Sequence, residues 1–283
     1  MSRLAVALVV LLVSLAGCSG LSEEGGPPDR EPYGVDEPVN PSIEDGSEGL
    51  LPGLTTEGVT NPDALFEGHH EAIADTPYTI ETETVYVTET ENGTVRQVIE
   101  GETYVDPEAG VALESNRQYT EGNGSEGAFP DQRNRTVERW FGTETLARTE
   151  SENGRVGYPY MGWSYEPMEW VAGTLLGALE TVGNTTTVGA VEAEDGRYYV
   201  VEGRGNRSEE FDGTSRVRIV DVRALVRDDG LIRQVVSERA VERTDGRTVV
   251  DSSVEVTGVG ETSVERPAWY DDALEAQPEE PDT

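Results

Sequence analysis

The side chains with intrinsic reactivity are few. The chain holds one cysteine, Cys18, and two histidines, adjacent at His69 and His70. Two neighbouring imidazoles with no further His or Cys fall short of a zinc or copper site. Nucleophile-plus-base chemistry would have to draw on that same pair, and no Gly-x-Ser-x-Gly, Walker or His-Glu-x-x-His motif is present. Carboxylates are so frequent that no pair, Glu166 and Glu169 included, stands out as acid and base. Gly122-x-Gly124-x-x-Gly127 matches the dinucleotide fingerprint by letter. It sits in a polar run ending at Pro130, with neither the strand before nor the helix after that the fingerprint requires. These features predict a protein that is not an enzyme, with no metal and no cofactor.

The thiol has a different setting. Met1-Ser2-Arg3 and an apolar run from Leu4 to Leu15 have the form of a signal peptide, too short to span a bilayer as a stable helix. The run ends in Leu15-Ala16-Gly17-Cys18, which resembles the lipobox at which lipoprotein leaders are lipidated and cut. Two hydrocarbon chains on Cys18, at about 0.8 kcal/mol per buried methylene, give lasting attachment where one does not. The expected location is therefore the extracellular face of the cell membrane, with residues 1–17 removed. Arg3 is the only basic residue of the leader, so general secretion is favoured over the twin-arginine route.

The formal net charge is -35, and all 21 basic residues are arginine. Carboxylates at that density repel in dilute buffer, whereas at 1 M salt the Debye length falls to about 3 Å. A salt-adapted source is the expectation, and nucleic acid is excluded as a partner by charge. Five unblocked Asn-x-Ser/Thr sequons, at Asn92, Asn123, Asn134, Asn184 and Asn206, are candidate glycosylation sites of an exported chain.

The elements that must position these residues follow from composition and period. Residues 18–60 are rich in Gly, Pro, Glu, Asp and Ser, a composition that cannot offset its ordering entropy. They read as a flexible acidic tether with a reach of roughly 35 Å. Residues 61–274 form one domain, and 275–283 an acidic disordered tail. Asn61 as N-cap, Pro62 in the first turn and Asp63 open a helix to about Ala74, with Leu65, Phe66, His69 and Ile73 on one face. Strand patterns cover Tyr78–Thr90 and Val95–Val105 around a Glu91–Thr94 turn, then Val111–Tyr119, Thr136–Phe141 and Thr145–Thr149. Glu166–Val182 reads as a second helix, with Met168, Val171, Leu175, Leu179 and Val182 on one face and Trp170 and Leu176 at its margin. The aromatics Tyr158, Tyr160, Trp163, Tyr165 and Trp170 precede and enter it. Strands resume at Thr186–Glu192, Arg197–Gly203, Val217–Val226, Leu231–Val241 and Thr248–Thr257, the last three joined by Asp-Gly turns in which Asp228, Asp229 and Asp245 are turn formers.

One helix, long antiparallel strands, a second helix near the middle and a closing meander ending in Ser263-Val264-Glu265-Arg266-Pro267: this order resembles the LolA-like lipoprotein-carrier superfamily. The lipobox, the acidic tether, the Asn61-Pro62-Asp63-Ala64-Leu65 helix start and the Asn-x-Thr-rich strands resemble, more closely, a family of haloarchaeal lipoproteins of unknown function. The resemblance implies an α+β fold, a curved antiparallel half-barrel with two helices on its concave face. It also implies a lipophilic ligand between sheet and helices, lined by Phe66, Ile73, Trp170, Leu175 and Leu179. The half-barrel could equally present a binding face in the envelope, and the alternative is an interaction subunit with a packed interior and no ligand that docks to an envelope protein.

Overall fold

The structure, a computed structural model, describes residues 49–90, 93–121, 134–161, 177, 182, 184–205, 208–211, 215–243 and 246–277. Helix α1, Pro62–Ile73, begins where the sequence demands it. The Asn61 side chain accepts the Ala64 N–H at 3.2 Å, Pro62 occupies the first turn, and Leu65, His69 and Ile73 are buried at four-residue steps. Ahead of it, β1 (Gly49–Leu51), β2 (Leu54–Thr55) and β3 (Gly58–Val59) make a small antiparallel sheet in residues that sequence composition assigned to the tether. Leu54, fully buried, ties that segment to the core.

The main sheet is built from two meanders. One contains β4 (Tyr78–Thr90), β5 (Gly93–Asp106), β6 (Val111–Glu121), β7 (Arg135–Phe141), β8 (Leu146–Ser151) and β9 (Val156–Gly157). The other contains β10 (Thr185–Ala193), β11 (Gly196–Arg204), β12 (Ser208–Phe211), β13 (Ser215–Arg227), β14 (Ile232–Arg243) and β15 (Gly246–Thr257). They join where β15 pairs antiparallel with β4. The order is β10-β11-β13-β14-β15-β4-β5-β6-β7-β8-β9, with β12 on β13. The sheet does not close on itself, and β10 and β9 are its edges.

Its curl follows from what one short helix touches. Leu65 of α1 clusters with Val201 on β11, Val222 and Ala224 on β13 and Val235 on β14. Ile73, two turns on, clusters with Val254 and Val256 on β15, Tyr78 and Ile80 on β4, Val105, Ala112 and Phe141. These positions run from β11 to β7, eight neighbouring strands that laid flat would span about 34 Å, against a helix about 18 Å long. The sheet therefore wraps around α1, and the face carrying these residues is concave. The fold is an α+β half-barrel, as the sequence order leads one to expect.

Helix α1 is fastened to the β13–β14 turn by a close backbone approach. Gly230 has φ +98, and a Cβ there would stand 3.0 Å from the Gly68 carbonyl oxygen of α1. In the same turn, the Asp229 carboxylate accepts the Leu231 N–H at 3.1 Å, the turn-forming role read from the sequence. A second helix, α2 (Tyr270–Glu275), packs on the opposite, convex face, where Trp269 and Ala273 meet Trp140 on β7 and Leu146 on β8. It extends to the start of the segment expected to be a disordered tail, and the Gln277 side chain still bonds the Ala273 carbonyl. The helix expected at Glu166–Val182 lies outside the described residues save Gly177 and Val182. Both are helical, and Val182 is buried beside Val201 and Val222.

Candidate functional site

Strand register sorts the concave face into rows. Nearest α1, Tyr78, Val105, Ala112 and Phe141 stand side by side and are all buried. The next row reads Val256, Ile80, Thr103, Glu114, Arg139 and Ala147 from β15 to β8. Beyond it come Val254, Thr82, Gly101, Asn116, Val137 and Thr149, and then Ser252, Thr84, Ile99, Gln118, Arg135 and Ser151. A further row holds Val250, Tyr86, Gln97 and Thr120. The face thus passes from an apolar row under α1 to rows in which hydroxyls, amides and guanidinium groups are interspersed with Val254, Val137, Ile99 and the buried Val250.

Charge is unevenly divided between the two faces. On β4 to β8 and β15, the inward charged residues are Glu114, Arg135 and Arg139, and β14 adds Arg239. Outward positions of the same strands carry carboxylates in excess, among them Glu81, Glu83, Glu100, Glu102, Glu138, Glu150, Asp251 and Glu255, together with Arg96, Arg117, Arg148 and Arg247, the first three in ion pairs with outward glutamates.

Glu114 and Arg139 face each other across β6 and β7, and Nη1 of the arginine donates to Oε1 of the carboxylate at 2.8 Å. Side-chain exposures of 13% and 27% place the pair partly out of water. The Asn116 amide donates to the same oxygen, and Asn116 fits because Gly101 opposite it has no side chain: a Cβ there would overlap its amide. Arg139 Nε is buried without a hydrogen-bond partner. One row pair further out, Arg135 Nε donates to Gln118 Oε1 at 3.1 Å. A partly exposed guanidinium, steadied by a carboxylate and an amide, can bind an oxyanion.

The residues singled out from sequence are distributed differently. Ile73 is 1% exposed within the apolar cluster, while Phe66 is half-buried and stacks edge-on against His70, ring centroids 4.4 Å apart. Trp170, Leu175 and Leu179 lie outside the described residues, as do Cys18, Asn92, Asn123 and Asn206. Asn184 is exposed; Asn134, at φ 22, accepts the Thr120 N–H through its side chain at 3.3 Å. Tyr158 packs in the α2 cluster, its hydroxyl donating to Asp272 at 3.3 Å, and Tyr160 is exposed. Trp163 and Tyr165 lie outside the described residues.

His69 is fully buried, and its Nδ1 accepts the Ile232 N–H at 3.2 Å. Burial, and secondarily the nearby His70, lower its pKa to about 4, so it is a neutral strut between α1 and β14. Burial likewise pushes the Tyr78 phenol upward. Among the described residues no group of three or more His, Cys, Asp or Glu could hold a metal ion, and no helix is long and apolar enough to cross a membrane.

Glu114, Asn116, Gln118, Arg135 and Arg139 were missed by sequence reading. The available signal was strand alternation: Ala112, Glu114, Asn116 and Gln118 share one parity on β6. That parity acquires meaning only when the register with β7 is known.

No family model matches the chain, and no curated protein matches it. Among solved structures, a DUF1329 family protein from Desulfovibrio piger is similar at a TM-score of 0.27 and 10% identity, covering 75% of this chain and 98% of that one. A domain named for outer membrane lipoprotein sorting, from Vibrio parahaemolyticus, is similar at 0.26 and 8% identity, covering 76% and 99%. A β-barrel-like protein of the DUF1849 domain from Brucella abortus is similar at 0.22 and 11% identity, covering 66% and 98%.

Proposed function

We propose that the protein is an exported lipoprotein of a salt-adapted cell, held to the extracellular face of the membrane by lipid on Cys18, whose half-barrel binds an amphiphilic ligand without turning it over. The observation that carries the binding role is the gradient on the concave face, from the Tyr78–Phe141 row to the Asn116, Gln118 and Arg135 rows. A surface graded in that way suits a molecule with an apolar and a polar end. The anchor rests on the lipobox-like Leu15-Ala16-Gly17-Cys18, and the salt adaptation on the net charge of -35 carried without lysine. Binding without turnover is favoured because His69 is committed to the Ile232 amide and cannot serve as a base without leaving the core.

Extraction of the protein from its native membrane, followed by mass spectrometry, tests the reading. A stoichiometric amphiphile beyond the Cys18 lipid is the expected result, and a clean extract would remove the ligand. Cys18→Ser should release the chain from membranes, and its retention would overturn the anchor. The second reading, an interaction subunit with a filled interior, is supported by the near-complete burial of Leu65 and Ile73, which already occupy the apolar end of the face. It predicts that clean extract, together with co-purification of an envelope protein.

A further inference from the structure

The concave face departs from the composition of the chain. The chain has 56 carboxylate residues against 21 basic ones, yet the concave face of β4 to β8, β14 and β15 carries Arg135, Arg139 and Arg239 against Glu114 alone. With three arginines to one glutamate, this face is where basic side chains locally outnumber carboxylates. We propose that this surface holds an oxyanion, a phosphate, sulfate or carboxylate at the head of the ligand, with Arg139 as its contact and Arg135, further out on the same face, drawing the anion in by charge. The proposal rests on the concave face being a ligand site and specifies the head group it takes.

The local geometry favours a binding role over simple neutralisation. Arg139 spends one terminal nitrogen on Glu114 and keeps 27% of its side chain exposed, so a ligand would meet the terminal edge of the guanidinium and not the buried Nε. Glu114 in turn is held by Asn116, whose place depends on the missing side chain of Gly101, so the guanidinium is oriented before any ligand arrives. Arg135 lies roughly 13 Å along the same strand, is exposed, and gives its Nε to the neutral Gln118, with no carboxylate partner among the described residues. On the neighbouring rows of β4 and β15, Thr82 donates to the Gly101 carbonyl and Thr84 to the Ser252 hydroxyl, which leaves the Ser252 O–H as a further donor.

The test compares octyl phosphate, octyl glucoside and inorganic phosphate by titration calorimetry in molar potassium chloride, using the mature chain carrying Cys18→Ser. Octyl phosphate should bind at least tenfold more tightly than octyl glucoside. Arg139→Gln should abolish that margin, and Arg139→Lys should keep part of it. Glu114→Gln frees the arginine of its internal competitor and should tighten octyl phosphate several-fold, a gain that a purely structural ion pair would not give. This variant decides the matter if Arg139→Gln fails to fold by circular dichroism. Equal binding of the two octyl compounds, unaffected by Arg139→Gln and Glu114→Gln, overturns the oxyanion subsite and leaves an amphiphile site standing. Inorganic phosphate binding as tightly as octyl phosphate, and lost in Arg139→Gln, supports the oxyanion subsite while removing the hydrocarbon. Binding of none of the three overturns the subsite and the ligand reading together.

Discussion

His69 shows how a residue with reactive potential can be absorbed by structure. A neutral imidazole accepting the Ile232 amide N–H is a good strut, but protonation at Nδ1 destroys the acceptor and places charge in the core. Its pKa, about 4 when folded against 6.5 for an unperturbed histidine, means the folded state binds its proton more weakly than the unfolded chain. Stability from this group is therefore complete above pH 6.5 and is lost as pH falls toward 4, by on the order of 3 kcal/mol. His69→Asn, whose side-chain carbonyl can take the same N–H, should flatten the dependence. The difference between variant and wild type in urea unfolding at pH 7 and pH 4.5 measures it, and parallel curves would refute it. Gly230 is the backbone counterpart of this joint. Gly230→Ala forces a Cβ onto the Gly68 carbonyl at a positive φ, and should cost about 1–3 kcal/mol in the same assay.

Among the elements, the central strands carry a cost on their convex side. Asp221, Glu238 and Asp251 are directly opposite one another on β13, β14 and β15, and Glu255, Glu81 and Glu102 form a similar row across β15, β4 and β5. Like charges in register are destabilising. Burial, then Asp251 and Asp221, raises the Glu238 pKa. Burial alone raises that of Asp251, and burial raises that of Glu255 although Arg233 opposes it. Raised carboxyls favour the folded state at low pH and weaken it as pH rises through their folded values, opposite in sign to His69. Glu238→Gln should raise the urea midpoint in dilute buffer at neutral pH, and the gain should vanish in molar salt as screening removes the repulsion. A gain that is independent of salt would exclude charge as its cause. The other half of the convex face is stabilised by contact instead: α2 covers β7 and β8 through Trp140 and Tyr270, ring centroids 5.9 Å apart at 85°.

For the whole molecule, the question is where the folded part begins. Leu54, fully buried in a cluster with Leu65, Val201 and Val235, belongs to the domain although it lies in a Gly-rich, polar stretch. Leu54→Ala should cost about 2–5 kcal/mol, whereas deletion of residues 1–48 should leave the unfolding midpoint unchanged. A loss of stability on that deletion would move the boundary toward the N-terminus. Transfer from molar salt to dilute buffer should unfold the domain, which circular dichroism would report. An indifferent spectrum would count against salt adaptation.

What the sequence determined was local. Asn61-Pro62-Asp63 set the start of α1, and Tyr78–Thr90 is the strand that alternation and the following Asn-Gly predict, because capping and turn chemistry act within a few residues. The short strands before α1 were hidden, since two- and three-residue strands leave no period to read and Leu50, Leu51, Leu54 and Val59 are broken up by Gly, Pro and polar residues. Helix α2 was equally hidden: six residues, three of them acidic, are placed by Trp269 and Ala273 finding Trp140 and Leu146, which are far away in the chain. The arginine-bearing rows belong wholly to tertiary structure. Glu114 and Arg139 have no relation in sequence; they meet because β6 and β7 pair in one register, and a slip of one residue would turn every side chain of a strand to the other face. Which strands neighbour which, and hence which charges share the concave side, is settled by the closing of β15 onto β4 and the wrapping of the sheet around α1, long-range contacts that no local propensity encodes.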